Sequence, residues 1–382
     1  MKILLWSPNG AGLHYGGAGT NVYRLYNSNR SSDIQVTLAH ANPRQDQYEC
    51  FTETVCIHHS HSSDYFNLLV YQLKARQWLK KNADRFDVFH GIDIFENTVR
   101  PAVYAESIGL PTIVKPAIAG SGLATALGFR KIFRLPEKRR KLVRKLSAIV
   151  SISNEITEEL LSYGIPSEKI VRIPNGVDTE LFHPVSQAEK YELRKILGYH
   201  DEDFVILFVG SITPRKQPHW IVDAVTCLLP NYPNVKVCFV GPNDRCGYAR
   251  NLKDRVMESK YKDSFKFIGH QTQVSTFYQA ADLYCLPSKQ EGMPNSVLEA
   301  SASGLPCIVG INSGADEIIV DGDNGFAINS PSQIQDKMSM YLQHPEILQE
   351  HGHKGRTHIK RNFSITKVFS QYMNLFQNIT GE

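Results

Sequence analysis

Short, continuous apolar runs alternate along the chain with longer stretches in which apolar residues recur every three or four positions. A short unbroken apolar run predicts a strand buried on both faces, whereas the 3.6-residue period predicts a helix with one buried face. In the first half, strands are predicted at Ile3–Trp6, Val36–Ala39, Val88–His90, Thr112–Lys115 and Ala148–Ile152. Helices are predicted over Asn21–Asn27, Phe66–Lys80 and Asn154–Tyr163. The second half repeats the logic, with strands at Val205–Val209, Lys236–Val240, Phe265–Ile268, Leu283–Leu286 and Cys307–Val309. Its helices are predicted over Pro218–Leu229, Gln273–Ala280 and Pro294–Ser303. Strands that alternate with helices predict an α/β fold of parallel sheets with helices on both faces.

With 382 residues the chain is long enough for two cores of similar size. The turn formers of Asn175–Pro184 follow a strand-like Ile170–Ile173 and mark a boundary. The expected domains are residues 1–178 and 179–362, with a terminal helix within 363–382. The net charge of +4 is mild and gives no argument for a nucleic-acid partner. The cysteines are odd in number and form no CxxC pair, as expected of reduced thiols in a cytoplasmic protein. Met1–Trp6 passes directly into Ser-Pro-Asn-Gly, which predicts no signal peptide. No apolar stretch approaches the roughly 18 residues that a membrane span requires.

The segment richest in chemistry is Leu286–Gly304, LPSKQEGMPNSVLEASASG. Glu291 precedes a Gly-Met-Pro-Asn turn and Glu299 follows it, with Pro294 expected at the first helical position and Glu299 in the second turn. The helix start offers the N–H groups of Asn295 to Val297 to a diphosphate or to sugar hydroxyls. A carboxylate on each side accepts hydrogen bonds from vicinal hydroxyls. Ribose diol, diphosphate and hexose in series match that layout. Two glutamates around a helix start would by themselves serve capping equally well; the turn between them favours a site.

Arg215 and Lys216 follow the first predicted strand of the second half, where cations can neutralise a departing diphosphate. Gly10-Ala-Gly12 and Gly16-Gly-Ala-Gly19 follow the first strand of the chain, and small residues there let backbone N–H groups approach a phosphate. His90 ends a strand of the first half, where it could face a substrate or remain structural. His58, His59 and His61 lack companions at metal-ligand spacing and read as a polar loop. Asp201-Glu-Asp203 and Asp321-Gly-Asp323 read as ordinary turns, so no metal or other cofactor is expected. Phe129–Leu146, FRKIFRLPEKRRKLVRKL, is strongly basic with apolar residues at helical spacing. This pattern suits an anionic membrane surface, although Leu142–Leu146 is expected to pack inward.

EGMPNSVLEASASGLP resembles the signature of glycosyltransferase family 4, retaining enzymes of GT-B fold. ADLYCLPS, SGADEIIVDGDNGF, IPNGVDTELFHP and FVGSITPRKQP resemble the same family, and the likeness is good from about Ala148 to Gly325. The resemblance implies two Rossmann-like, doubly wound domains facing a central cleft, with the C-terminal helix packed back on the first. It implies a donor nucleotide-diphosphate sugar, UDP- or GDP-linked, and an acceptor hydroxyl on a glycan, glycolipid or small molecule. Glu299 would bind ribose hydroxyls, and Glu291 would contact the transferred sugar. Backbone groups of Gly292, Met293, Pro294, Asn295 and Ser296 would hold sugar hydroxyls and phosphate, with the base near Gly269. Gly16 and Gly17 would line the cleft opposite the diphosphate.

Two positions depart from the family pattern. An arginine usually follows the strand-end glycine; here Gly210 is followed by Ser211, while Lys216 holds the usual lysine position and Arg215 stands beside it. The usual second histidine is replaced by Ile92, leaving His90 alone. Lys216, Arg215, Glu291 and His90 are the candidate catalytic residues. The expected enzyme is a cytoplasmic, metal-independent glycosyltransferase that can lie on the inner membrane face through residues 129–146. The alternatives are a sugar-nucleotide epimerase of similar build and a non-catalytic sugar-nucleotide binding protein.

Overall fold

The computed structural model describes residues 1–58, 65–117, 140–243, 247–311 and 314–381. The chain divides into two compact units, Met1–Gly176 together with Ile365–Glu382, and Val177–Ser364.

In the first unit the strands are β1 (Lys2–Trp6), β2 (Gln35–His40), β3 (Glu53–Cys56), β4 (Val88–Ile92), β5 (Thr112–Lys115), β6 (Ala148–Ser151) and β7 (Ile170–Arg172). Among the described residues they form one sheet in the order β3-β2-β1-β4-β5-β6-β7, and every pairing is parallel. Strands β4, β5 and β6 are buried along their whole length. That is the burial expected of a sheet covered by helices on both faces. The helices are α1 (Gly16–Asn27), α2 (Tyr65–Asn82), α3 (Glu96–Ser107) and α4 (Asn154–Ser162). Ser153 starts α4 by accepting a hydrogen bond from the Ile156 N–H, which satisfies one of the otherwise orphaned donors of the first turn. The C-terminal helix Ile365–Thr380 contributes Val368, Tyr372, Leu375 and Phe376 to the core built around Ile3, Leu5, Val22 and Leu38.

The second unit contains β8 (Phe204–Val209), β9 (Val235–Val240), β10 (Phe265–Gly269), β11 (Leu283–Leu286), β12 (Cys307–Gly310) and β13 (Gly325–Ile328). Their order is β10-β9-β8-β11-β12-β13, again with all pairings parallel. Its helices include α5 (Gln187–Leu197), α6 (Pro218–Leu228), α7 (Tyr248–Met257), α8 (Ser275–Ala280) and α9 (Asn295–Ala302). Helix α5 opens on a complete capping box between Ser186 and Glu189 and closes at Gly198, φ 71°.

In each unit the chain lays down strands in one direction and then returns past its first strand. The reversal falls between β1 and β4 in the first unit and between β8 and β11 in the second. Ligands of doubly wound sheets bind outside the carboxyl ends of the strands at such a switch point.

Two strands escaped the sequence pattern. Glu53–Cys56 is an edge strand, at most half-buried, and carries two polar residues. Gly325–Ile328 emerges directly from the Asp321–Asn324 turn. Helix α1 starts at Gly16, not near Asn21, so the run Gly16–Gly19 is a first helical turn and not a loop. Gly19 is required there, because a Cβ would meet the Gly10 carbonyl oxygen at 2.9 Å. Of the basic stretch, residues 129–139 lie outside the described residues. Val143 and Leu146 are fully buried, as expected of Leu142–Leu146, and the Arg140 guanidinium lies 3.7 Å over the Tyr163 ring.

Candidate active site at the second switch point

Two loops of the second unit leave neighbouring strands at its switch point. The first follows β8, passes Gly210 and Ser211, turns through a short 3-10 segment Pro214–Lys216 and enters α6. Gln217, at the junction, has a left-handed backbone (φ 49°). It is held by its side chain: in the amide orientation that satisfies both neighbours, the nitrogen donates to the Pro287 oxygen at 3.1 Å and the oxygen accepts from the Trp220 indole at 3.2 Å. The second loop follows β11, carries Ser288 and Glu291, and enters α9. The Lys289 N–H donates to the Arg215 carbonyl (2.9 Å), and the Arg215 guanidinium to the Gln290 carbonyl. The loops are therefore clasped together.

Glu291 stands at the centre of the clasp. Its Oε1 lies 3.0 Å from both the Arg215 guanidinium and the Lys216 ammonium, and it accepts from the Ser288 hydroxyl at 2.9 Å. Glu291 is buried. Burial pushes its carboxyl up, but the charges of Lys216 and Arg215, with the hydrogen bonds from Lys216 and Ser288, outweigh burial and hold it below the usual range. Lys216 lies across Gly210, where a Cβ would come within 3.0 Å of the ammonium nitrogen.

Glu299 is also buried and accepts from the Tyr278 hydroxyl at 2.8 Å. Neither glutamate is an outer-surface residue. Pro294 is the residue before α9 and not its first residue, and the Val297 N–H already donates to the Pro294 oxygen at 3.1 Å. The N–H groups that face outward from the helix start are accordingly fewer than the Asn295–Val297 set expected from sequence. Gly292, Met293 and Pro294 are buried, while Asn295 and Ser296 are half-buried. The turn is pressed by Gly314, whose backbone is left-handed (φ 74°) and where a Cβ would lie 2.1 Å from the Gly292 oxygen. Gly314→Ala is therefore expected to displace the Gly292–Met293 turn, destabilising the second unit by about 1–3 kcal/mol. Thermal melts of wild type and variant will measure it.

Ser211 follows Gly210, half-buried, at the mouth of the first loop. Gly269 ends β10 with a left-handed backbone (φ 82°), beyond a register shift against β9, and its carbonyl accepts from the Gly241 N–H at 2.8 Å. Ser288 was not assigned a role from sequence, although it lies within ADLYCLPS. Its signal was the motif itself, since a hydroxyl three residues before a glutamate is otherwise unremarked.

In the first unit, Gly16 and Gly17 are exposed at the start of α1. His90 is different. It is completely buried, shares a 2.7 Å hydrogen bond with the Tyr26 hydroxyl through Nδ1, and packs against Tyr372 and Phe376 of the C-terminal helix. Burial, with help from the Lys115 charge, pushes its pKa down to about 3. The C-terminal helix covers the ring, and burial favours the structural one of the two roles that the sequence left open for His90. Lys115, also buried, donates to the Asn21 side chain at 2.8 Å. Burial lowers its pKa to about 7 against the opposing pull of Asp93. Asp93, which sequence reasoning passed over, follows β4 with a left-handed backbone (φ 68°), and burial raises its carboxyl to about 6.

His58 accepts from the Lys74 ammonium at 3.2 Å, and His59 and His61 lie outside the described residues. The two Asp-x-Asp sequences are bound into turns: Asp203 accepts from the His200 N–H, Asp321 from the Ala327 N–H, and Asp323 pairs with Lys354.

Two parallel, doubly wound sheets in two units define a fold of the GT-B class. Residues 15–181 match the family described as Glycosyltransferase Family 4, and residues 189–358 match glycosyl transferases group 1. The chain belongs to these family 4, group 1 glycosyltransferases. It is 27% identical over 319 residues to the UDP-Gal:alpha-D-GlcNAc-diphosphoundecaprenol alpha-1,3-galactosyltransferase of Escherichia coli, covering 78% of this chain and 77% of that protein. It is 26% identical over 251 residues to spore coat protein SA of Bacillus subtilis, covering 62% of this chain and 66% of that protein, just under two thirds of its length. In fold it is similar to Anabaena HepE, solved with UDP and glucose, with a TM-score of 0.79, 17% identity, and coverage of 99% of this chain and 100% of that one.

Proposed function

We propose that the protein is a retaining, metal-independent glycosyltransferase that takes a sugar from a nucleotide-diphosphate donor bound by the second unit. The observation that supports this most is the convergence of Lys216, Arg215 and Glu291 within 3.0 Å contacts at the β8/β11 switch point, beside the start of α9. In the reaction the bond between the sugar C1 and the phosphate oxygen breaks as C1 bonds to the acceptor oxygen. The acceptor proton passes to the leaving phosphate. Lys216 and Arg215 stabilise the negative charge that builds on that phosphate, and Arg215 stands in for the arginine that Ser211 replaces. Glu291 fixes both cations and contacts the sugar; Glu299 takes the ribose hydroxyls; Gly269 lies beside the base. The acceptor hydroxyl belongs to the carboxyl edge of the first sheet, near Gly16, Gly17 and Lys115. A lipid-linked acceptor fits the activity for which the Escherichia coli relative is named, and contact of residues 129–146 with the inner membrane face would serve it.

A thermal-shift screen of UDP-, GDP- and ADP-sugars is the direct test. Only a true ligand raises the melting temperature by mass action, and absence of any shift would remove the donor reading. Retention is read from the anomeric coupling constants of donor and product by NMR. Glu299→Gln is expected to weaken nucleotide binding about tenfold or more, since it removes a charged hydrogen-bond acceptor, while leaving the rate at saturating donor nearly unchanged. Calorimetry with UDP and a donor titration separate the two.

A further inference from the structure

In the first unit, the loop of residues 9–15 joins β1 to α1, and the segment 42–51, between β2 and β3, lies along it as a strap. The Gln45 amide grips the loop with both ends. Its Oε1 accepts from the Ala11 N–H at 3.0 Å, and its Nε2 donates to the Ala11 oxygen at 2.9 Å. The Tyr48 hydroxyl accepts from the Leu13 N–H at 3.3 Å, and the Asn42 amide donates to the Asn9 oxygen at 3.1 Å. From the loop itself, the Tyr15 hydroxyl accepts from the Asp46 N–H at 2.8 Å and donates to the Arg44 oxygen. Tyr15 is the residue before Gly16, where α1 begins. The strap is anchored in turn: the Tyr48 ring lies 4.5 Å from that of Tyr23 on α1, and Phe51 is buried in the core of the unit. Gly10 and Gly12 have positive φ, 95° and 148°. A Cβ at Gly10 would lie 2.5 Å from Gln45 Oε1, and one at Gly12 would overlap the Tyr48 ring. These two glycines make room for the strap. The Ala11 N–H between them, expected from sequence to approach a phosphate, already has an acceptor.

We infer that Gln45, Tyr48 and Tyr15 are positioning residues for glycosyl transfer: the strap makes the glycine loop a rigid socket and so fixes Gly16 and Gly17, the first turn of α1, beside the acceptor. The inference rests on the acceptor placement proposed above. A loop with glycines at positive φ is freer before folding than one built of other residues. Freedom that survives folding must be lost when substrate binds, at a cost in affinity or in alignment. The strap removes that freedom beforehand, through side chains whose hydrogen bonds are spent on the loop and not on the substrate. A phosphate entering the loop would have to displace Gln45 and Tyr48, exchanging satisfied hydrogen bonds for others of the same kind with little net gain. The loop is therefore no second phosphate cradle, and the donor phosphates are left to Lys216 and Arg215 of the second unit.

The test is hydrogen exchange of the full chain read by mass spectrometry, paired with kinetics. Gln45→Ala, Tyr48→Phe and Tyr15→Phe should each speed exchange over residues 10–19 by about tenfold and leave Val177–Ser364 unchanged. The two Phe variants keep their rings and lose only a hydroxyl, so the melting temperature should stay near that of wild type. Millimolar inorganic pyrophosphate should not slow exchange at residues 10–15. Kinetics use the sugar nucleotide that the thermal-shift screen selects, with octyl glucoside, octyl galactoside and octyl N-acetylglucosaminide as acceptor probes. Sugar transferred to the probe, relative to sugar released into water, should fall about tenfold in each variant, whereas plain loss of fold lowers both together. The inference is overturned if exchange over residues 10–19 stays at the wild-type rate, if pyrophosphate protects the loop, or if the ratio of transfer to hydrolysis does not change. Unchanged exchange removes the strap and leaves the donor reading standing; absence of any nucleotide-induced thermal shift removes the donor reading and leaves the exchange result standing.

Discussion

Replacing Glu291 with Gln should slow glycosyl transfer by about two to three orders of magnitude while leaving the protein folded. The substitution keeps the shape of the side chain and removes its charge. In the native protein that charge faces Lys216 and Arg215 at 3.0 Å each and accepts the Ser288 hydroxyl, so it sets where both cations stand. Without it the cations are more electropositive and less fixed. Affinity for the nucleotide of the proposed donor should therefore hold or rise as transfer collapses, a signature that mere loss of fold would not give. The pH dependence has a definite sign. The Glu291 carboxyl is held below its ordinary value in the folded protein, so the stabilisation it brings is complete above the unfolded value of about 4.3. It is lost as pH falls through the lower folded value. Wild type and Glu291→Gln should differ by a constant amount in thermal melts at neutral pH and converge in acid. Wild-type transfer rates in the purified variant would remove Glu291 from the mechanism.

Asp282→Ala is expected to destabilise the second unit by about 3–5 kcal/mol, the largest stability effect among the sites described. Arg194, on α5, is 3% exposed. It donates to the carbonyls of Ala280 and Asp201 and pairs with Asp282. Asp282 also takes Lys190 at 2.7 Å and the Val205 N–H at 2.8 Å. One carboxylate thus ties α5 to the first residues of β8 and to the entrance of β11. Its removal leaves a buried guanidinium without its counter-charge. Because the cost lies in the uncompensated charge, Arg194→Met/Asp282→Leu should recover part of the loss, and a double-mutant cycle in urea will expose the non-additivity. Equal melting points for wild type and Asp282→Ala would contradict the assignment.

The strands nearest the switch points were the most legible features of the chain. Strands such as Val205–Val209 and Leu283–Leu286 are buried on both faces and therefore appear as unbroken apolar runs. Edge strand Glu53–Cys56 has no such signature, and α3 carries Pro101 within it, which hides a helix from pattern reading. The site was legible where local sequence determines it: a glutamate before a Gly-Met-Pro turn, and a lysine after a strand-end glycine. What the sequence concealed were contacts made across the unit. His90 sits at a strand end, where a ligand would be expected, yet residues from the far end of the chain close over it. Ser288 and Asp93 acquire meaning only when β8 is beside β11 and β4 beside β5.

The C-terminal helix carries a consequence for synthesis. Val368, Tyr372, Leu375 and Phe376 complete the interior of the amino-terminal sheet, so that sheet stays unfinished until Phe376 has been synthesised and released. The carboxyl-terminal unit, which ends at Ser364, has its whole sequence available earlier. Although translated second, it is expected to reach its native state first. In a released chain truncated after residue 364, protease resistance should appear in Val177–Ser364 while Met1–Gly176 is still cut.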